Sequence, residues 1–214
     1  MKLMKDTLGT IKVPGNVFWG AQTQRSKQNF TISDEKMPKQ LIKCITYIKK
    51  ACAIANAKVG KLDNAKKVAI VKVCDEILAG KLANNFPLSI WQTGSGTQTN
   101  MNVNEVVAYR ANYEAKKEKF IHPNDHVNMS QSSNDVFPTA MHLVIATLTK
   151  EKLLPNLEKL IKELKVLVKK TWKIIKVGRT HLQDATPVRL GQEISAWVAM
   201  LENSREMIKD AAKY

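Results

Sequence analysis

Apolar residues recur at three- and four-residue steps along most of this chain. One such segment follows Pro38 and ends at Gly60, and a second covers residues 64–78. Because an α-helix completes a turn about every 3.6 residues, this spacing predicts helices that each bury one face. The same spacing returns in three later segments, which begin near Val106, Asp135 and Gly191. The pattern therefore predicts a mainly α fold.

The segment that begins after Asp135 is the longest of these. Pro155 lies within it, and we expect a break or kink there because proline lacks the N–H that a helix interior needs. Apolar residues between positions 157 and 168 follow a nearly heptad spacing. That spacing is typical of a helix in a bundle, with partner helices on its apolar face.

Three polar segments adjoin the predicted helices, at residues 92–105, 122–135 and 178–187. They are rich in hydroxyl and amide side chains. The start of a helix presents unpaired backbone N–H groups and the positive end of the helix dipole, which suit an anion. Each segment alone is also consistent with an ordinary surface loop or helix cap. Together they predict a site for a small, multiply charged anion such as a dicarboxylate.

The first 37 residues show no regular spacing of apolar positions. Glycine and proline punctuate them, so we expect a largely irregular segment with one short strand at residues 11–13. Residues 19–26 are polar apart from Trp19 and Ala21. The pattern predicts a loop that is anchored by Trp19.

The net charge of +15 arises from 34 Lys and Arg residues against 19 Asp and Glu residues. The lysines are spread along the predicted helices, which is typical of solvated helix faces. No zinc-finger spacing or aromatic ribonucleoprotein motif accompanies them, so we expect no nucleic-acid partner. No apolar stretch approaches the length of a membrane span, so we expect no membrane partner either.

Three cysteines, Cys44, Cys52 and Cys74, form no C-x-x-C pair. Cys44 and Cys52 are eight positions apart and lie near one face of the same predicted helix, which indicates buried free thiols. Free thiols fit a reducing compartment, and the N-terminus lacks the apolar run of a signal peptide. The sequence therefore predicts a cytoplasmic protein.

Histidine offers the most useful acid–base chemistry in this chain. His181 lies in the third polar segment, where its imidazole is the best candidate for a general acid or base near neutral pH. His122 and His126 are four positions apart, a spacing that suits a metal on a helix, but Pro123 and the following Asn124 and Asp125 argue against a helix there. No other metal-ligand spacing and no dinucleotide fingerprint is present, so we expect no metal and no cofactor.

Four longer motifs resemble the class II fumarate hydratases of the fumarase/aspartase superfamily. They are WGAQTQRS at 19–26, WQTGSGTQTNMNVNE at 91–105, HPNDHVNMSQSSNDVFPTAMH at 122–142 and GRTHLQDATPVRLGQE at 178–193. The resemblance is colinear from Asp6 to about Glu202. Similar ammonia-lyases carry Gln where His181 stands and Asn where His122 stands, so both positions favour a fumarate hydratase. Aspartate ammonia-lyase remains the alternative within the superfamily.

The resemblance implies reversible hydration of fumarate to L-malate by a homotetramer, without cofactor or metal. It implies that carboxylates of the substrate are bound by Ser95, Thr97, Ser132, Ser133 and Asn134. It places Thr180 and His181 at the water, with His181 exchanging a proton with it. It also implies a second, non-catalytic dicarboxylate site at His122, Asn124 and Asp125.

The resemblance further implies two domains within this chain. Residues 1–131 would form an N-terminal domain of the fumarase/aspartase type, and residues 132–214 the start of a central helical bundle. Members of the family continue beyond this point with a Gly-Ser-Ser-x-Met-Pro-x-Lys-x-Asn loop whose serine is a candidate base. That motif is absent from the 214 residues. We therefore expect a chain whose C-terminal part is missing, which argues against activity of the chain by itself and leaves a non-catalytic helical module as a further alternative.

Overall fold

A computed structural model describes residues 1–213, so Tyr214, the last residue of the predicted second domain, lies outside the described part. The chain divides into two compact units, with the first at Met1–Val144 and the second beginning at Ile145. Helices dominate both units. No helix within residues 1–213 combines the length and the apolar character needed to cross a membrane.

The first unit consists of a β-hairpin followed by helices. The hairpin pairs β1 with β2 in antiparallel register, with Met4 opposite Ile11. The elements are β1 (Lys2–Asp6), β2 (Gly9–Val13), α1 (Ala21–Asn29), α2 (Lys39–Lys58), α3 (Asn64–Leu78), α4 (Thr97–Ala115) and the beginning of α5 (Ser133–Leu148). Short turns of 3₁₀ and π-helix lie at Ala83–Asn85 and Pro123–Val127.

The predicted helices α2 and α3 are confirmed. Their apolar faces bury Ile42, Ile45, Ile70 and Val73 in one core. The side chain of Asp63 accepts hydrogen bonds from the backbone N–H groups of Ala65 and Lys66, which fixes the start of α3. These helices follow local signals, namely an apolar stripe and a capping side chain.

Helix α4 lies at the centre of the first unit, and every residue from Thr99 to Ala108 is buried. It begins at Thr97, nine residues before Val106, where the apolar spacing placed the helix. The buried stretch includes the polar residues Asn100, Asn102 and Glu105. A helix that is buried on all sides has no solvent-exposed polar face, so the spacing of its apolar residues does not show where it begins.

The prediction of a loop at residues 19–26 is wrong, because most of these residues form α1. The carboxylate of Glu105 accepts hydrogen bonds from the backbone N–H groups of Gly20 (2.8 Å), Gln22 (3.0 Å) and Thr23 (3.1 Å). A cap that comes from a residue 82 or more positions away leaves no local signal. The prediction that Pro123, Asn124 and Asp125 do not form a helix is also wrong, since Pro123–Val127 forms a single π-helical turn.

The second unit contains two long helices and a hairpin. Its elements are a π-helical turn (Thr149–Leu153), α6 (Leu154–Thr171), β3 (Ile175–Thr180), β4 (Gln183–Arg189) and α7 (Leu190–Ala211). The π-helical turn ends at Leu153, two residues before Pro155, which confirms the predicted interruption of the regular helix. Helices α6 and α7 pack against each other, and Lys165 pairs with Glu202 between them at 2.6 Å. The third polar segment forms most of the β3–β4 hairpin.

Candidate functional site

The glycine-rich turn before α4 holds two predicted hydroxyl residues side by side. The hydroxyls of Ser95 and Thr97 are 3.2 Å apart, and both residues are exposed. Gly96 between them has a φ of +72°, a backbone conformation that favours glycine. A Cβ at Gly96 would lie 2.1 Å from the ring of Phe137 in α5. The turn is therefore pressed against α5 close to the start of that helix.

The start of α5 supplies the next predicted group. The backbone carbonyl of Ser132 accepts the hydrogen bonds of the first turn, from the N–H groups of Asp135 and Val136. The Ser133 hydroxyl accepts a hydrogen bond from Nδ2 of Asn100 in α4, at 3.2 Å. Ser132 and Asn134 are exposed. The structure thus brings the Ser95–Thr97 turn and the Ser132–Asn134 segment to two neighbouring helix N-termini, where positive helix dipoles and hydroxyl donors meet.

Thr97 also borders a cavity of ≈ 340 Å³ that is lined partly by α1. Arg25 of the first motif reaches this cavity, but its guanidinium donates to both carboxylate oxygens of Asp6, at 2.8 and 3.1 Å. The pair lowers the pKa of the Asp6 carboxyl, chiefly through these hydrogen bonds. The charge of Arg25 is therefore matched by Asp6 within the hairpin.

Beneath Ser133 lies a cluster of amides around a buried lysine. Lys49 of α2 has no exposed surface, and its Nζ donates to Oδ1 of Asn128 at 2.7 Å and to Oε1 of Gln131 at 2.9 Å. Oδ1 of Asn128 also accepts from Nδ2 of Asn100 at 3.1 Å and from Nδ2 of Asn104 at 3.2 Å. Burial lowers the pKa of Lys49 to about 7 and outweighs the opposing effect of nearby thiols.

Lys49 was not among the residues predicted from the sequence, although a signal was present. Ile45, Lys49 and Ala53 are four positions apart, so they lie on one helical face, and the first and last of them are core residues. A lysine in the middle of an apolar stripe has to be desolvated, which is costly without polar partners. Such a position predicts either a functional group or a buried network.

The third predicted group lies in the second unit. Thr180 ends β3, and His181 and Leu182 form the two-residue turn to β4. Both turn residues have positive φ, 48° for His181 and 62° for Leu182. Hairpin turns of this kind are normally occupied by Asn, Asp or Gly. A histidine held in this conformation, with Thr180 and His181 both exposed, is a candidate for function.

The predicted second dicarboxylate group lies on the π-helical turn. Nδ1 of His122 accepts from the backbone N–H of Asp125 at 3.2 Å, and Asn124 and Asp125 are exposed beside it. His126 faces Lys66, with Nε2 2.9 Å from the lysine Nζ. Burial first, and then the charge of Lys66, lowers the pKa of His126. Lys66 thus adds positive charge that the motif itself did not reveal. Residues 1–213 contain no group of three side chains arranged to hold a metal ion.

Comparison with known proteins gives a consistent set of matches. A family model described as lyase matches residues 9–214. The class II fumarate hydratase of Campylobacter jejuni is 58% identical over 207 residues, a match that covers 95% of this chain and 45% of that protein. The class II fumarate hydratase of Bacillus subtilis is 54% identical over 213 residues, or 98% of this chain and 46% of that protein. This chain spans about half the length of the curated relatives it matches.

Solved structures also match over almost the whole chain. A class II fumarase from Schistosoma mansoni gives a TM-score of 0.89 at 46% identity, covering 98% of this chain and 45% of that one. A fumarate lyase:delta crystallin from Brucella melitensis gives a TM-score of 0.91 at 38% identity, covering all of this chain and 49% of that one. The observed helical fold is therefore shared with these proteins.

Proposed function

We propose that this chain, which belongs to the lyase family, supplies carboxylate-binding and proton-transfer groups to a fumarate hydratase active site. The similarity to class II fumarate hydratases that the four motifs predicted is confirmed over nearly the whole chain. The mainly α fold is confirmed with it. The reversible hydration of fumarate to L-malate is the function that the site supports best.

One observation carries the proposal. The N-termini of α4 and α5 lie together, and each presents small hydroxyl or amide side chains: Ser95, Thr97, Ser132 and Asn134 are exposed, and Ser133 is half-buried. Fumarate is a dianion with carboxylates at both ends. Hydroxyl and amide donors at helix N-termini match a carboxylate in charge and in hydrogen bonding, without a fixed cation that would hold the product tightly.

The proposed chemistry needs a proton acceptor and stabilisation of developing charge. The oxygen of a water molecule forms a bond to one carbon of the double bond while its proton passes to His181, with Thr180 beside that water. The electron pair of the double bond moves onto the neighbouring carbon and into its carboxylate, which gains negative charge. Preorganised donors stabilise that charge, which is commonly the largest contribution to catalysis. A second proton then reaches this carbon and completes L-malate. The family assigns that last transfer to a serine in the loop that is absent from these 214 residues.

We further propose that His122, Asn124 and Asp125 form a second, non-catalytic dicarboxylate site, to which Lys66 adds positive charge through His126. A homotetramer is proposed as the assembly. Apolar residues of the second unit that are at least 49% exposed support it, because they need a covering surface: Ile145, Leu153, Ile174, Ile175, Leu182, Trp197, Met200 and Met207. Three free cysteines support a reducing, cytoplasmic location.

The test uses the chain in two forms, alone and joined to the part of the Campylobacter jejuni relative that it does not match. We expect no fumarate turnover by the chain alone and clear turnover by the chimera, followed by the ultraviolet absorbance of fumarate. In the chimera, His181→Asn should lower kcat by about 100-fold or more, the usual contribution of a general acid or base. The matched control is His142→Asn on α5, an exposed histidine outside the proposed groups, which should change kcat by less than about twofold.

Near-normal turnover by the His181→Asn chimera would rule out the proton-transfer role of His181. Release of ammonia from aspartate, without interconversion of fumarate and malate, would favour an aspartate ammonia-lyase. A chimera that folds and catalyses neither reaction would favour a non-catalytic helical module.

A further inference from the structure

Lys49 is a buried cation with no anionic partner. Its Nζ contacts the amide oxygens of Asn128 and Gln131, and within residues 1–213 no carboxylate pairs with it. Buried ammonium groups are normally paired, because removal from water disfavours the charge. A cation that lacks a counter-ion inside the protein is suited to an anion that binds from outside.

The groups that surround Lys49 are neutral. Cys52 on the same helix and Cys74 on α3 are the ionisable side chains near it, and burial raises the pKa of both thiols, to about 12 for Cys74. Helix α4 contributes the amides of Asn100 and Asn104, and the segment before α5 contributes those of Asn128 and Gln131. On α5, Asp135 is close enough to Cys52 to raise the pKa of that thiol further. The positive charge of Lys49 is therefore balanced by dipoles alone.

The amide cluster connects Lys49 to Ser133 in two steps. Nζ of Lys49 donates to Oδ1 of Asn128, and Nδ2 of Asn100 donates to the same oxygen. Nδ2 of Asn100 then donates to the Ser133 hydroxyl oxygen. Because this oxygen already accepts a hydrogen bond, the hydroxyl proton is left to donate away from the cluster. Ser133 is thus set up as a donor toward a carboxylate at the start of α5.

We propose that Lys49 is a positioning residue for the dicarboxylate site: through Asn128 and Asn100 it fixes Ser133 as a donor, and its charge favours a dianion there. This inference rests on the proposed function, since it takes the Ser132–Asn134 segment as the place where a carboxylate binds. Lys49 does not touch the substrate. It acts from behind the binding segment, in a low-dielectric interior where a charge is weakly screened.

A positioning role for Lys49 predicts an effect of ligand binding that a purely structural lysine would not show. A bound dianion stabilises the protonated form of Lys49, so binding must raise its pKa and take up a proton. The converse also holds. Binding should weaken as the pH rises above about 7, where Lys49 loses its proton.

The experiment follows Lys49 directly in the unmodified 214-residue chain. Lysines labelled with ¹³C at the ε position are titrated by NMR with and without saturating fumarate, and Lys49→Arg identifies the signal. Sodium acetate at equal ionic strength is the control for a simple salt effect. We expect the Lys49 midpoint to rise by about one pH unit with fumarate and to stay within a few tenths of a unit with acetate.

Two variants then test the energetic link. Lys49→Met removes the charge and keeps the length of the side chain, and it should weaken fumarate binding by about tenfold or more. Lys43→Met, which removes an exposed lysine from the same helix, should change binding by less than about twofold. Lys49→Arg keeps the charge and should bind more tightly than Lys49→Met. Because the primary measurement is made on the unmodified chain and needs only Lys49→Arg to identify the signal, the test does not depend on whether Lys49→Met folds.

The outcomes separate this inference from the proposed function. If fumarate shifts the backbone amide signals of residues 132–134 while the Lys49 midpoint stays unchanged, the role of Lys49 is overturned and the carboxylate site stands. If fumarate shifts no signal in these residues, the proposed function of the segment is contradicted and the inference falls with it. Equal affinity of the Lys49→Met and unmodified chains also overturns the inference.

Discussion

Replacing Glu105 by glutamine should loosen α1 from the centre of the first unit. The carboxylate is 3% exposed and accepts three backbone hydrogen bonds from residues at the start of α1. A glutamine has nearly the same shape, but only one of its two terminal atoms can accept a hydrogen bond. With its oxygen in the place of Oε2, the amide keeps the bonds from Gly20 and Thr23 and turns an N–H₂ group toward the N–H of Gln22.

The cost follows from the lost bond. A hydrogen bond to a charged group contributes about 1.5–3 kcal/mol. Burial raises the pKa of the Glu105 carboxyl, so removing its charge relieves a desolvation penalty that offsets the lost attraction to the N-terminus of α1. We therefore expect Glu105→Gln to lower the free energy of unfolding by about 1.5–3 kcal/mol, a sizeable fraction of the 5–15 kcal/mol or so that is typical of a folded protein.

Urea unfolding measures this loss, and hydrogen exchange locates it. The amide of Thr23, which donates to Glu105, should exchange much faster in the variant, while amides in α3 should change only as far as global stability falls. The matched control is Glu114→Gln near the end of the same helix, where the carboxylate forms solvent-exposed ion pairs and the loss should be at most about 1 kcal/mol. If Glu105→Gln costs no more than Glu114→Gln, the proposed capping of α1 by Glu105 is refuted.

Two further predictions concern the candidate site. Gly96→Ala should lower the free energy of unfolding by about 2–4 kcal/mol, because the positive φ of this residue and the Phe137 ring both oppose a Cβ. Gly94→Ala is the control and should cost less than about 1 kcal/mol, because no atom lies within 4 Å of its Cβ. Urea unfolding compares the two variants, and equal losses of stability would contradict the close contact between Gly96 and Phe137. Burial lowers the pKa of Lys49 from 10.5 to about 7, so the folded chain binds fewer protons than the unfolded chain between these values and its stability must rise with pH there, by about 2 kcal/mol from pH 7 to 9. Lys49→Met should lack this rise in urea unfolding across the same pH range, and a wild-type curve as flat as the variant's would contradict the buried charge.

The sequence predicts those parts of the fold whose causes are local. Helices α2 and α3 carry an apolar stripe, and α3 also carries its own Asp63 cap, so both were found. Helix α1 was missed because its cap is Glu105, which is remote in sequence. The motifs predicted the hydroxyl groups of the candidate site, but the hydrogen bonds that join Lys49 to Asn128 and Asn100 depend on packing between helices and leave no local signal.

Helix α4 shows why some elements are fixed by contacts that are remote in sequence. Its buried polar residues each form hydrogen bonds with a separate segment of the first unit. Asn100 donates to the Ser133 hydroxyl, and Asn102 donates to the carbonyl of Asn85. Glu105 accepts from the start of α1, and Asn112 bonds both backbone groups of Ile121. A helix with this task cannot show an apolar stripe, because its polar residues point inward in several directions.

Such a helix is costly for stability and useful for a binding site. Apolar residues at these positions would pack without the need to satisfy every amide, and buried polar networks are favourable only when their members are paired. The advantage for a binding site is a fixed geometry, because one rigid helix determines the positions of Ser133, the start of α1 and the chain leading to His122. The proposed carboxylate site of weak neutral donors needs this fixed arrangement, because misplaced hydroxyls would bind water as readily as a dicarboxylate. The polar interior of α4 is therefore better explained by the demands of the site than by those of the fold.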